Sequence, residues 1–214
     1  MLVVGLEDLR PSHVLCVGAH SDDIEIGCGG TLMSLVDRCA PSVSWVVFSG
    51  SEERAGEARQ SAEAMIGAGK LELQQDAFRE SYFPYQGAQI KQRFDELGRR
   101  LKPDIVFVPH RDDAHQDHRL LAELANNTFR DHLILEYEIP KYDGDLGRPS
   151  VYVRISREVA ARKTEHLLRF FPSQRSRSWF TEETFRAVMR LRGIECGAPD
   201  GYAEAFHCQK LVLA

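Results

Sequence analysis

Short runs that are apolar at both odd and even positions recur along this chain and constrain its fold more than any other feature. "HVLCVGAH" (13–20), "SVSWVVFSG" (42–50) and "DIVFVPH" (104–110) leave almost no polar face. A strand of that kind needs cover on both sides, as in a parallel sheet with helices above and below. "KLELQQ" (70–75) and "HLILEYEIP" (132–140) extend the set. Helical spacing fills the intervals, at about 29–39, 53–68, 87–102 and 115–129. The second of these, "SEERAGEARQSAEAMIGAGK", stops at Gly67 and Gly69. Strand–helix alternation predicts an α/β fold, a Rossmann-like and mostly parallel sheet with helices on both faces.

Beyond residue 140 the texture changes. "KYDGDLGRPS" reads as a loop, followed by a strand "VYVRI" (151–155) and helices at about 156–170 and 181–192. "FPSQRSRS" separates those helices, and "AEAFHCQKLVL" (203–213) is the expected last strand. No repeat or linker divides the chain, so residues 1–214 read as one domain, with a core over 1–140 completed by 141–214.

A length of 214 residues allows a full hydrophobic core, and 43% apolar with 28% charged residues is ordinary for a globular protein. The net charge of −5 gives no reason to expect nucleic acid as a partner. Five cysteines with no Cys-x-x-Cys pair argue against a disulfide framework and a thiolate zinc site, and favour a reducing compartment. The opening "MLVVGLEDLRPS" lacks the pattern of a signal peptide, and no apolar run approaches the ~18–20 residues of a membrane span. These features lead us to expect a cytoplasmic protein.

Ligands of open parallel sheets bind beyond the carboxyl ends of the strands. The first strand runs into His20-Ser21-Asp22-Asp23, and the fourth into "PHRDDAHQDHR" (109–119), with His110, His115 and His118. "GCGG" (27–30) offers a competing reading, backbone N–H groups opening a helix against a phosphate. The full G-x-G-x-x-G spacing is absent, however, and two carboxylates at the strand end would repel a phosphate. Two histidines and one carboxylate form a common catalytic zinc set that keeps a position open for water. His20 and either Asp22 or Asp23 can reach one ion from a single turn, and 110–118 supplies the rest. His115 and His118, three apart, share a face if the segment is helical, while Asp117 points elsewhere. Asp113 suits a cap of that helix, His110 a place beside the ligands or in the packing, and His207 a structural place in a strand.

"AHSDDIEIGCGGTL" together with "PHRDDAHQDHR" resembles the PIG-L/LmbE-like de-N-acetylase family, whose signatures run approximately A-H-P-D-D-x-E-x-G-x-G-G and P-H-x-x-D-x-H-x-D-H. The likeness extends to helix 53–68, "YEIPKYDGDLG" and "GYAEAF". Ser21 stands where the family usually has proline, which loosens the loop and removes no ligand. The resemblance implies His20, Asp23 and His118 as ligands of zinc or another divalent metal, with Asp22 as general base. It implies His115 as the group that stabilises the tetrahedral intermediate, and Asp117 as the acid that orients His115. The implied substrate is an N-acetylated amino-sugar conjugate of the N-acetylglucosaminyl type, and a homo-oligomer is compatible with it.

Arg54, after the second strand, is a candidate to grip sugar hydroxyls or a phosphate. "KYDGDLGRPS" and the basic "SQRSRS" turn are candidates for a lid or rim suited to an anionic aglycone. Residues 151–192 carry ten Lys/Arg against four Asp/Glu, and the remainder therefore a net −11. Two rival readings remain at the level of sequence. One is a non-catalytic sugar- or nucleotide-binding protein, against which the full set of site residues counts. The other is a non-haem iron enzyme with the same ligand types, which the doubly wound pattern disfavours.

Overall fold

The computed structural model describes residues 3–212. Five parallel strands come first: β1 (His13–Gly18), β2 (Ser42–Ser49), β3 (Leu71–Phe78), β4 (Ile105–Pro109) and β5 (Leu133–Tyr137). β6 (Val151–Ile155) and β7 (Tyr202–His207) complete a seven-stranded sheet, β7 lying antiparallel to both β5 and β6. The order is β3-β2-β1-β4-β5-β7-β6.

Burial on both faces follows from the sequence pattern. Val14 and Cys16 of β1 enter one core with Trp45 and Phe107, while Leu15 and Val17 enter a second with Val46, Phe48 and Val106. α1 (Asp23–Cys39), α2 (Glu52–Ile66), α5 (Arg157–Phe170) and α6 (Glu182–Glu195) cover the first core. α3 (Gly87–Arg100) and α4 (Gln116–Thr128) cover the second. β1 pairs with β2 on one side and β4 on the other, so the winding direction reverses between β1 and β4. Such a switch point opens a crevice at the carboxyl ends of the strands. Here it sets the loops after β1 and β4 side by side.

Two boundaries differ most from expectation. α1 begins at Asp23, six residues before the predicted start, so the glycines of "GCGG" lie inside the helix and form no turn. Glycine is a poor helix former, but close approach requires it here. A Cβ on Gly27 would fall 2.1 Å from Tyr137 Cδ2, and one on Gly30 would fall 3.1 Å from Glu204 Oε1. The N–H groups of Gly30 and Thr31 do meet an anion, the Glu204 carboxylate, at 2.8 and 2.6 Å. Lys163 from α5 pairs with Glu204 and also donates to Ile26 O at 2.6 Å. The anion that this glycine segment binds is therefore a protein side chain. The second difference is β7, which ends at His207, well before the predicted end at Leu213 (a residue outside those described).

Candidate metal centre

His20 leaves β1, Asp23 opens α1 and His118 sits in the first turn of α4. Their donor atoms converge. His20 Nδ1 and His118 Nε2 are 3.1 Å apart, His118 Nε2 and Asp23 Oδ2 3.3 Å, and His20 Nδ1 and Asp23 Oδ2 3.5 Å. Ligand atoms about 2.0–2.1 Å from one tetrahedral centre stand about 3.3–3.4 Å from one another. The three atoms thus form one face of a tetrahedron of the right size for a small divalent cation. Asp23 Oδ2 is fixed by N–H groups of Ala19 and His20, both at 2.9 Å. All three side chains are buried.

The charges of the site also fit a cation. Asp22, Asp23, Asp113 and Asp117 are buried carboxylates, and the cations paired with them are Arg54 on Asp22 and Lys141 on Asp113. Buried charge of one sign needs a partner. Burial opposes the charged forms of His20 and His118, yet the Asp23 carboxylate overrides it and pushes them up to about 10 and about 9. Asp23 itself is held well below the usual carboxylate range: burial pushes it up, but His118 and His20 prevail.

His115 presents a ring nitrogen within 4.8 Å of those of His20 and His118. It differs from them in charge, since burial and the two neighbouring imidazoles lower its pKa. As the N-cap of α4 its Nδ1 accepts from Asp117 N at 3.2 Å, so a neutral ring carries its proton on Nε2. We therefore group Asp23, rather than His115, with His20 and His118, because its oxygen closes the tighter triangle. Asp22 is also buried; burial raises its carboxyl, Arg54 lowers it and Asp23 adds to the rise. Arg54 Nη2 donates to Asp22 Oδ1 at 3.0 Å and Nη1 to Glu80 Oε2 at 2.9 Å. Arg54 thus reaches Asp22, with two of its nitrogens engaged by protein carboxylates.

The structure corrects the readings of Asp117 and Asp113. The Asp117 carboxylate does not orient His115. Its Oδ2 lies 3.4 Å from His20 Nε2 and accepts from Ser81 N at 2.6 Å, while Oδ1 accepts from Phe83 N at 3.1 Å. That pincer holds Ser81 at φ +64°, a left-handed conformation costly for a serine. Asp113 is not the N-cap of α4. Its Oδ1 accepts from His115 N at 2.7 Å, and its Oδ2 lies 2.9 Å from His118 Nδ1, an ion-pair contact without hydrogen-bond alignment. His20 and His118 therefore each have an aspartate at the outer nitrogen, an arrangement known to orient imidazoles where they bind a metal.

His110 and His207 belong to neither group. Their rings stack at 3.6 Å, and Glu136 lies 3.1 Å from His110 Nδ1. Lys141 belongs to the "KYDGDLGRPS" stretch, but spacing does not specify its contact with Asp113, 28 residues away.

The sequence family PIG-L, described as GlcNAc-PI de-N-acetylase, matches residues 15–129. The chain belongs to that family. This PIG-L chain also superposes on solved structures over nearly its whole length. A conserved protein from Thermus thermophilus gives a TM-score of 0.70 at 24% identity, covering 94% of this chain and 96% of that one. N,N'-diacetylchitobiose deacetylase from Pyrococcus horikoshii gives 0.67 at 22% identity, with coverage of 93% and 84%. The 4-carboxy-2-hydroxymuconate hydratase GalB from Pseudomonas putida gives 0.75 at 17% identity, with coverage of 95% and 98%. At these identities the likeness establishes the fold, and the named activities of the last two differ. Function must therefore be argued from the site.

Proposed function

We propose that this PIG-L chain is a metal-dependent hydrolase that removes the acetyl group from an N-acetylated amino-sugar conjugate. The observation that carries the reading is the triangle of His20 Nδ1, Asp23 Oδ2 and His118 Nε2, with sides of 3.1–3.5 Å. Zinc held by these three residues would supply Lewis-acid activation of a water molecule.

The chain's own groups account for the rest. Asp22 accepts the proton as water attacks the amide carbon, and Arg54 fixes the carboxylate that receives it. The neutral His115 donates from Nε2 to the amide oxygen as it becomes negative, a contribution of roughly 3–4 kcal/mol for one well-placed donor. The C–N bond then breaks, and the amine takes a proton from Asp22 or His115. The products are acetate and the free amino sugar. The retained set of Asp22, Asp23, His20, His115 and His118 weighs against a purely binding protein.

The test combines metal analysis of protein purified without chelator with an acetate-release assay on N-acetylglucosaminyl compounds that differ in aglycone. Zinc, or another redox-inert divalent ion, together with acetate release supports the proposal. Iron with oxygen consumption would replace it with an oxygenase, and bound sugar without turnover would replace it with a binding protein.

A further inference from the structure

Of the two aspartates behind the ligand histidines, only one is paired with a lysine. Asp117 is satisfied by the backbone N–H groups of Ser81 and Phe83. Asp113 is satisfied by His115 N and by the ammonium of Lys141, which lies 2.9 Å from the same Oδ2 that faces His118. Lys141 comes from the turn-rich loop after β5. Its side chain is 10% exposed. Its three protons have three acceptors: Asp113 Oδ2, Asp145 Oδ2 and Ile139 O. Asp145 in turn accepts from Ala114 N at 2.7 Å, so the loop is strapped to the segment between Asp113 and His115.

We propose that Lys141 is a positioning residue of the metal site, which acts on His118 through Asp113 and ties the loop 141–145 to metal occupancy. A carboxylate packed behind a histidine keeps that imidazole in register only if the carboxylate is itself held in place. Removing the ammonium leaves a buried Asp113 with one backbone donor and a ring contact of poor alignment. The carboxylate is then free to turn away, and His118 loses its backing. Conversely, a cation on His118 Nε2 fixes the ring, hence Asp113, hence the lysine and its loop. This inference rests on the metal reading above.

The test measures zinc affinity of the apo-protein by competition with a chromophoric chelator, for wild type, Lys141→Gln and Lys141→Arg. Lys141→Gln should weaken zinc binding about 10- to 100-fold, and Lys141→Arg, which restores the charge, should recover most of the loss. A merely structural lysine would lower the melting temperature in both variants without separating their zinc affinities. In wild type, zinc should also slow amide exchange at Ala114 and along 141–145, a measurement that needs no variant to fold. Equal zinc affinity of wild type and Lys141→Gln, or no slowing of exchange in zinc-loaded wild type, overturns this proposal and leaves the metal site standing. Wild type that takes up no divalent ion overturns both.

Discussion

Arg54 Nη2 stands 3.0 Å from Asp22 Oδ1, joining the first turn of α2 to the residue before α1 in one partly buried charge pair. If Asp22 is the base, the arginine sets both the orientation and the charge of its carboxylate. Arg54→Met should lower kcat/KM about 10- to 100-fold, roughly 1.4–2.8 kcal/mol of transition-state stabilisation. Lysine, a point charge without the fork that spans Asp22 and Glu80, should recover only part. Steady-state kinetics on one N-acetylated sugar decides it, and full activity in Arg54→Met would refute the coupling.

Asp22 and Asp23 are adjacent, but the structure gives them separate surroundings: Asp23 Oδ2 meets two imidazoles, and Asp22 Oδ1 meets a guanidinium. Asp22→Asn should therefore keep bound zinc while turnover falls about 10²- to 10⁴-fold. Asp23→Asn should lose zinc. The metal content of the two purified variants, set beside their rates, separates the roles.

Gly27 packs its α-carbon on the ring of Tyr137, whose hydroxyl donates to Val17 O at 2.6 Å. Neither neighbour can yield, because both lie in the sheet under α1. Gly27→Ala should cost about 2–3 kcal/mol through overpacking, roughly 5–10 °C in Tm for a chain of this size. Gly56, where a Cβ would meet nothing within 4 Å, is the control. Its alanine variant should be neutral or slightly stabilised by helix propensity.

His166, away from the metal site, stands 2.8 Å from Ser61 Oγ, and burial lowers its pKa to about 4. Between pH 4 and 6.5 the unfolded chain binds this proton more readily than the folded one. Stability from the neutral ring is therefore complete above pH 6.5 and is lost as pH falls toward 4. Allowing for the ring's partial exposure, the loss is about 2 kcal/mol. His166→Gln should flatten that part of the stability curve, measured by urea unfolding at pH 7, 5.5 and 4.5. An unchanged slope would show that the ring titrates alike in both states.

The sequence by itself determined the features that local pattern encodes. Runs such as 13–20 and 104–110, apolar on both parities, demand a sheet covered on both faces, and ligand-rich residues directly after β1 and β4 mark its working edge. Where the pattern was ambiguous it misled. "GCGG" reads as the opening of a helix, yet α1 begins at Asp23 and runs through it, because Tyr137 and Glu204, far along the chain, occupy the space that side chains would take. Tertiary structure decided which groups stand behind His20 and His118. Asp117 faces His20 because β1 and β4 are neighbours, and the antiparallel return of β7 brings Glu204 under α1. Lys141 reaches Asp113 because the loop after β5 folds back over the loop after β4. Spacing along a chain fixes contacts only within one element. These contacts depend on strand order, which the chain adopts only when the whole sheet has formed.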